Sequence, residues 1–207
     1  MTSLSTLARA ARLGSARKRG VTLIEAVLYI SIALALIVGG LVFFQQASLA
    51  QRTNSAVRSI SAIASEVRGL YQQSSNFAGL TEGTLISAGA VPSSLINGAA
   101  LQNEWGGAVV VAPNGAQTNF AASQGFTVVY RGVPREACVR LTTADVTGTG
   151  RVGSGIRGVN FAAPAAAFAA DPVLASAGNL TPTAVAASTA CGVAVNGLVD
   201  IRYTFTR

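Results

Sequence analysis

Apolar residues fill positions 21–44 with a single charge among them, Glu25, in the run VTLIEAVLYISIALALIVGGLVFF. As a helix these residues span roughly 36 Å, enough to cross a hydrocarbon core of about 30 Å. A lone acid in lipid costs up to about 3 kcal/mol at the bilayer centre and less near an end. A simple anchor has no reason to accept that cost, whereas a segment that leaves lipid to pack against copies of itself does. Beyond residue 44 the pattern becomes one-sided. Val57, Ile60, Ile63, Ala64, Val67, Leu70 and Tyr71 recur at three- and four-residue steps, with Gln51, Arg52, Asn54, Arg58, Ser61, Ser65 and Arg68 between them. One continuous helix over about 21–73 follows, near 80 Å long. Its second half needs an apolar surface to pack on, and the rest of the chain must supply it. Gly39 and Gly40 mark either a bend or locally melted turn, or glycines simply tolerated in a membrane helix, at about 1 kcal/mol each relative to Ala.

Residues 74–104 are polar and weakly patterned and read as a long connection with one short helix. Residues 108–112 and 126–131 are rich in Val and flanked by Gly and Asn, as strands of a hairpin-like pair would be. Pro134 suits the first position of a helix, on which Ala137, Cys138 and Leu141 share an inward face. Residues 156–162 read as a strand. Residues 163–190 are Ala-rich, with Thr181-Pro182 as a helix start and Gly192 as its stop, which delivers Cys191. Residues 198–206 alternate. Leu198, Asp200, Arg202, Thr204 and Thr206 lie on one side and Val199, Ile201, Tyr203 and Phe205 on the other, the pattern of a half-buried strand. No internal repeat is present.

The length of 207 residues allows one anchor and one modest globular domain. Only 11% of residues are charged and the mean hydropathy is +0.47, which excludes a disordered chain. The formal charge of +7 does not indicate nucleic acid. Arg9, Arg12, Arg17, Lys18 and Arg19 precede the apolar run; removing these 5 from 15 basic residues leaves 10 against 8 acids, a net +2. The basic end reads as a signal holding the N-terminus in the cytoplasm, and no specific nucleic-acid partner is expected. With no histidine and scattered carboxylates, no catalytic constellation and no metal site is expected. Gly148, Gly150 and Gly153 match G-x-G-x-x-G, but a dinucleotide site needs a strand before and a helix after it, so the segment reads as a loop and no cofactor is expected. Cys138 and Cys191, in the exported part of the chain, suggest one disulfide; two unpaired buried thiols are the alternative.

The segment Arg17-Lys18-Arg19-Gly20 followed by Val21-Thr22-Leu23-Ile24-Glu25 joins a basic stop, a glycine, an abrupt apolar switch and a carboxylate at the fifth position after the glycine. It resembles the prepilin class of signal. The chain as a whole is similar to type IV pilins of the b subclass, such as bundle-forming and toxin-coregulated pilins and the thin-pilus pilins of conjugative plasmids. A leader of 20 residues and Val21 rather than Phe at the mature start fit that subclass. The likeness is specific over residues 17–73. Beyond them it rests on Asn103-Glu104-Trp105-Gly106-Gly107 leading into a strand, two late cysteines on short helices and an alternating aromatic last strand.

The resemblance implies an α+β pilin fold: a long N-terminal helix packed on a mainly antiparallel sheet, with one disulfide. It divides the chain into a leader (1–20), a transmembrane and polymerisation segment (21–44), the amphipathic half of the same helix (45–73) and a periplasmic or extracellular globular domain (74–207). A prepilin peptidase would cut between Gly20 and Val21 and N-methylate Val21. The Val21 amine of one subunit would then meet Glu25 of another. The implied product is a helical homo-polymer, assembled from the inner membrane with a platform, an assembly ATPase and an outer-membrane secretin. It would be displayed at the cell surface for adhesion, aggregation or mating. Three rival readings stay open: a minor pilin or pseudopilin; a secreted protein cut at Ser48-Leu49-Ala50 to begin at Gln51; and a membrane-anchored binding protein that never polymerises.

Overall fold

The computed structural model describes residues 22–115, 121–145, 156–168, 174–175 and 184–206. It separates into two compact units, residues 1–44 and 45–207.

The first unit contains the start of α1 (Leu23–Leu70). Every large apolar side chain from Leu23 to Phe44 is between 50% and 84% exposed. A helix that is apolar all round and covered by none of the described residues belongs in lipid or against other helices. Among the described residues α1 alone is long and apolar enough to cross a membrane. It runs unbroken through Gly39 and Gly40, so the pair does not melt a turn.

In the second unit, α1 buries Thr53, Ala56, Val57, Ser59, Ile60, Ile63, Ala64 and Val67. That is the stripe expected from the sequence, with two corrections. Leu70 is 47% exposed, because α1 ends there and the chain turns at residues 71–73 instead of continuing as helix to 73. The stripe also extends back to Thr53, whose hydroxyl donates to the Leu49 carbonyl at 2.8 Å and so is satisfied without water.

Next come α2 (Glu82–Ser87), a 3-10 turn over Ser93–Leu95, and the strands β1 (Ile96–Asn97), β2 (Ala100–Gln102), β3 (Ala108–Pro113) and β4 (Gly125–Pro134). After them lie α3 (Arg135–Asp145), β5 (Ile156–Ala162), β6 (Leu174–Ala175), α4 (Ala184–Ala190), a 3-10 turn over Cys191–Val193, and β7 (Leu198–Thr206). The strands form one antiparallel sheet in the order β1-β2-β3-β4-β7-β5-β6. Strands β3 and β4 are the expected hairpin-like pair, and β5 has the expected bounds. Strands β1 and β2 were hidden in the presumed connection, since two or three residues are too few to show alternation. The same holds for β6 inside the Ala-rich segment.

Pro134 closes β4 opposite Leu198 instead of opening α3. Its fixed φ suits an extended strand end as well as a first helical turn. The α3 face is as expected, with Ala137, Cys138 and Leu141 fully buried. Thr181 and Pro182 lie outside the described residues, as do Gly148, Gly150 and Gly153.

One side of the sheet is apolar. Val109 pairs with Tyr130, Val111 with Val128, Phe126 with Phe205, Val128 with Tyr203 and Tyr130 with Ile201. These residues form one core with the buried stripe of α1. The rings of Tyr71, Phe77, Phe126 and Phe205 follow one another at centroid distances of 5.4, 5.1 and 5.0 Å. The Arg68 guanidinium of α1 lies over Phe126 and Phe205, 6.0 and 5.6 Å from the ring centres. Burial there lowers its pKa from the usual guanidinium value. The sequence presents β7 as half-buried, but Asp200 and Thr204 are buried on its polar side as well. The reason is its place in the sheet: β7 lies between β4 and β5, and residues that follow β5 lean on it. The Ala165 N–H donates to Asp200 at 3.1 Å, and the Phe168 ring lies 5.0 Å from the Arg202 guanidinium.

Candidate assembly site

Helix α1 begins with the sequence Thr22-Leu23-Ile24-Glu25, the Thr-x-x-Glu spacing of a capping box. The Glu25 N–H donates to Thr22 Oγ1 at 3.4 Å, and the Ala26 N–H donates to the Thr22 carbonyl at 3.0 Å. A carboxylate in the first turn also complements the positive end of the helix dipole. The Tyr29 hydroxyl, four residues on, donates to Glu25 Oε1 at 3.1 Å. Both side chains are exposed. An acid thus stands at the mouth of a bare apolar helix, held by its own helix and open to a second donor. Gly20 and Val21, the expected cleavage junction, lie outside the described residues. Sequence reasoning missed Tyr29, although its position four residues after Glu25 was the available signal.

In the second unit the expected disulfide is present. Cys138 of α3 is bonded to Cys191 of the 3-10 turn, with their Cα atoms 6.1 Å apart. The Thr142 hydroxyl beside them donates to the Cys138 carbonyl at 2.7 Å.

Two polar clusters fix the sheet and were not foreseen. Asn103 Nδ2 donates to the Arg131 carbonyl at 2.7 Å. Its Oδ1 accepts from the N–H groups of Trp105 and Gly107 at 3.0 and 2.9 Å. A Cβ on Gly107 would overlap the Arg131 carbonyl, so the Asn103–Gly107 turn can approach β4 only with glycine at that position. On the other side of β4, a bulge between Tyr130 and Val133 places Gly132 at a φ of +64°, which frees its N–H from the ladder. Asp200 Oδ1 accepts that N–H at 2.8 Å, while Oδ2 accepts from Arg131 Nη1 at 3.0 Å. Glu104, next to Asn103, accepts from the Ser59 hydroxyl of α1 at 2.9 Å. Burial raises its pKa above the ordinary 4.5, against the opposing pull of its hydrogen bonds.

Residues 50–197 match the family described as PilS N terminal. The chain belongs to that family. It is 26% identical over 141 residues to the "Major structural subunit of bundle-forming pilus" of Escherichia coli O127:H6, an alignment covering 67% of this chain and 70% of that protein. The protein of the same name from Escherichia coli O111:H- matches equally. Among solved structures, the type IV b pilin from Salmonella typhi is similar at 25% identity and a TM-score of 0.52, over 74% of this chain and 99% of that one. The fold is shared with TcpA, a type IV pilin from Vibrio cholerae El Tor biotype, at 14% identity, a TM-score of 0.53, and coverage of 75% and 99%. The long helix, antiparallel sheet and single disulfide are therefore those of a type IVb pilin, a structural subunit and not an enzyme.

Proposed function

We propose that this pilin is the major subunit of a type IVb pilus, released from a leader of residues 1–20 by a prepilin peptidase that cuts between Gly20 and Val21 and N-methylates Val21. A pilin polymerises with its own copies. The observation that carries the finer reading is the carboxylate of Glu25, set at the entrance of a helix whose large apolar side chains are all exposed from Leu23 to Phe44. Lys18 is the only lysine in the sequence. Cleavage after Gly20 would thus make the Val21 amine the only aliphatic amine available to meet Glu25. Two unit charges 4 Å apart attract by about 4 kcal/mol at an effective dielectric of about 20, and desolvation consumes much of this. The contact therefore sets register more than it adds stability, because a subunit whose Glu25 lacks its counter-ion is penalised.

In this reading residues 21–44 hold the subunit in the inner membrane, N-terminus in the cytoplasm, and later form the filament core. Residues 45–73 form the amphipathic half of the helix and residues 74–207 the exported globular domain. The assembly platform, ATPase and secretin of a type IV pilus system are its partners. The name of the bundle-forming relatives favours a filament that gathers into bundles.

Mass spectrometry of the chain from cells tests the proposal. A mature chain that begins at Val21 and carries one methyl group there is expected. A chain that begins at Gln51, or that keeps residues 1–20, overturns it.

A further inference from the structure

We infer that Asn196 is a site of spontaneous deamidation, the one of three equivalent sequence positions that the fold leaves open to this chemistry. Asn precedes Gly at Asn97-Gly98, Asn114-Gly115 and Asn196-Gly197. Glycine carries no Cβ to shield its nitrogen, so in each pair that nitrogen can attack the side-chain carbonyl carbon of the asparagine. A new N–Cγ bond closes a cyclic imide and the Cγ–Nδ2 bond breaks. The side-chain nitrogen leaves as ammonia, taking the proton of the glycine N–H. Water then opens the imide. Hydrolysis at the side-chain carbonyl gives aspartate. Hydrolysis at the main-chain carbonyl gives isoaspartate, whose backbone runs through the former side chain and is longer by a carbon.

The fold treats the three pairs differently. Asn114 is buried. Its Nδ2 donates to the Gly115 and Ala121 carbonyls at 2.7 and 3.0 Å, and its Oδ1 accepts the Gly125 N–H at 2.7 Å. Its carboxamide can rotate onto the Gly115 nitrogen only after these bonds break. Asn97 is exposed, but its Nδ2 donates to Gln102 Oε1 at 2.9 Å. Asn196 is exposed, and neither its side chain nor the Gly197 N–H has a hydrogen-bond partner among the described residues. The pair forms the tight turn between Val195 and Leu198, at φ values of +54° and +75°, where Asn-Gly is the favoured sequence. A hydrogen bond that must break first slows a step by about threefold to tenfold.

The Gly197 carbonyl accepts the Arg135 N–H at 2.9 Å. This ties the turn to the start of α3, the helix that carries Cys138. The longer backbone of isoaspartate displaces that carbonyl, whereas Asn196→Asp keeps the backbone and adds only a negative charge.

The test incubates the full chain, in detergent, in mildly alkaline water enriched in heavy oxygen, with and without urea. Peptide mass spectrometry then follows the uptake of heavy oxygen at each asparagine, which marks only deamidation during the incubation. In the native chain Asn196 is expected to react first, Asn97 about threefold to tenfold more slowly, and Asn114 more than about tenfold more slowly. In urea the three rates are expected to converge. Equal rates in the native chain overturn the inference, as does faster reaction at Asn97 or Asn114, or an Asn196 that reacts only in urea. The aged chain is also expected to lose protease resistance near Arg135 relative to Asn196→Asp. Equal resistance overturns the role given to the longer backbone.

Discussion

Asp200 shows how one buried carboxylate can organise a sheet. It accepts the N–H that the β4 bulge frees at Gly132, the Arg131 guanidinium, and the N–H of Ala165 from the segment after β5. Arg131 is 40% exposed and can turn to water, but the two backbone donors depend on Asp200. Asp200→Ala should therefore destabilise the domain by about 2–4 kcal/mol, whereas Asp200→Asn, which keeps an acceptor oxygen, should cost less. Denaturant midpoints of the two variants check the order. Glu104 works with the opposite sign. Burial raises its folded pKa above 4.5, so the folded state holds the proton more tightly than the unfolded chain does. Stability should fall as the pH rises from about 4.5 through the raised value. Glu104→Gln should flatten that slope in thermal unfolding followed across the acid range. None of this was legible from sequence. A lone Asp in an alternating strand looks like a solvent-side residue, and its burial follows only from the place of β7 between β4 and β5, the segment after β5 that leans on it and the bulge opposite.

The elements were legible in proportion to their length. The long helix, the Val-rich pair β3 and β4, the strand β5 and the alternating strand β7 could be read because each carries enough residues to show a period. Strands β1, β2 and β6, of two or three residues, carry none. The cysteines were legible for another reason: Cys138 lies on a helical face with Ala137 and Leu141, so its direction was fixed before its partner was known. The bond ties α3 to the turn before β7 across a separation of 53 residues. Loss of this link should cost about 4 kcal/mol in the loop-entropy model. Cys138→Ser is expected to lower pilin abundance and resistance to protease. Free reaction of both thiols with an alkylating reagent, without prior reduction, would contradict the bond.

On the scale of the whole molecule, the proposed chemistry of assembly is concentrated in a few residues that the sequence set apart by their oddity. Glu25 is conspicuous because every neighbour is apolar. Tyr29 is not, because a tyrosine among leucines looks like any other large side chain until its hydroxyl is seen on the acid. Glu25→Ala should still insert into the membrane and be processed, yet give few filaments. Normal filament yield from sheared cells would count against the register role. A second readout uses the absence of lysine after Lys18. An amine-reactive label should modify detergent-dissociated subunits at residue 21 and leave intact filaments nearly unmodified, since there the amine is engaged.

The position of β7 sets an order of events. Among the described residues it is the last of the seven strands in sequence, yet it is the one that joins β4 to β5. As the polypeptide emerges, β1 to β4 can zip up in turn, but β5, with β6 beside it, cannot join them until β7 has emerged and inserted between β4 and β5. The domain therefore cannot mature from front to back, and a chain stalled short of Leu198 would present two unfinished sheet edges, each a template for another nascent chain.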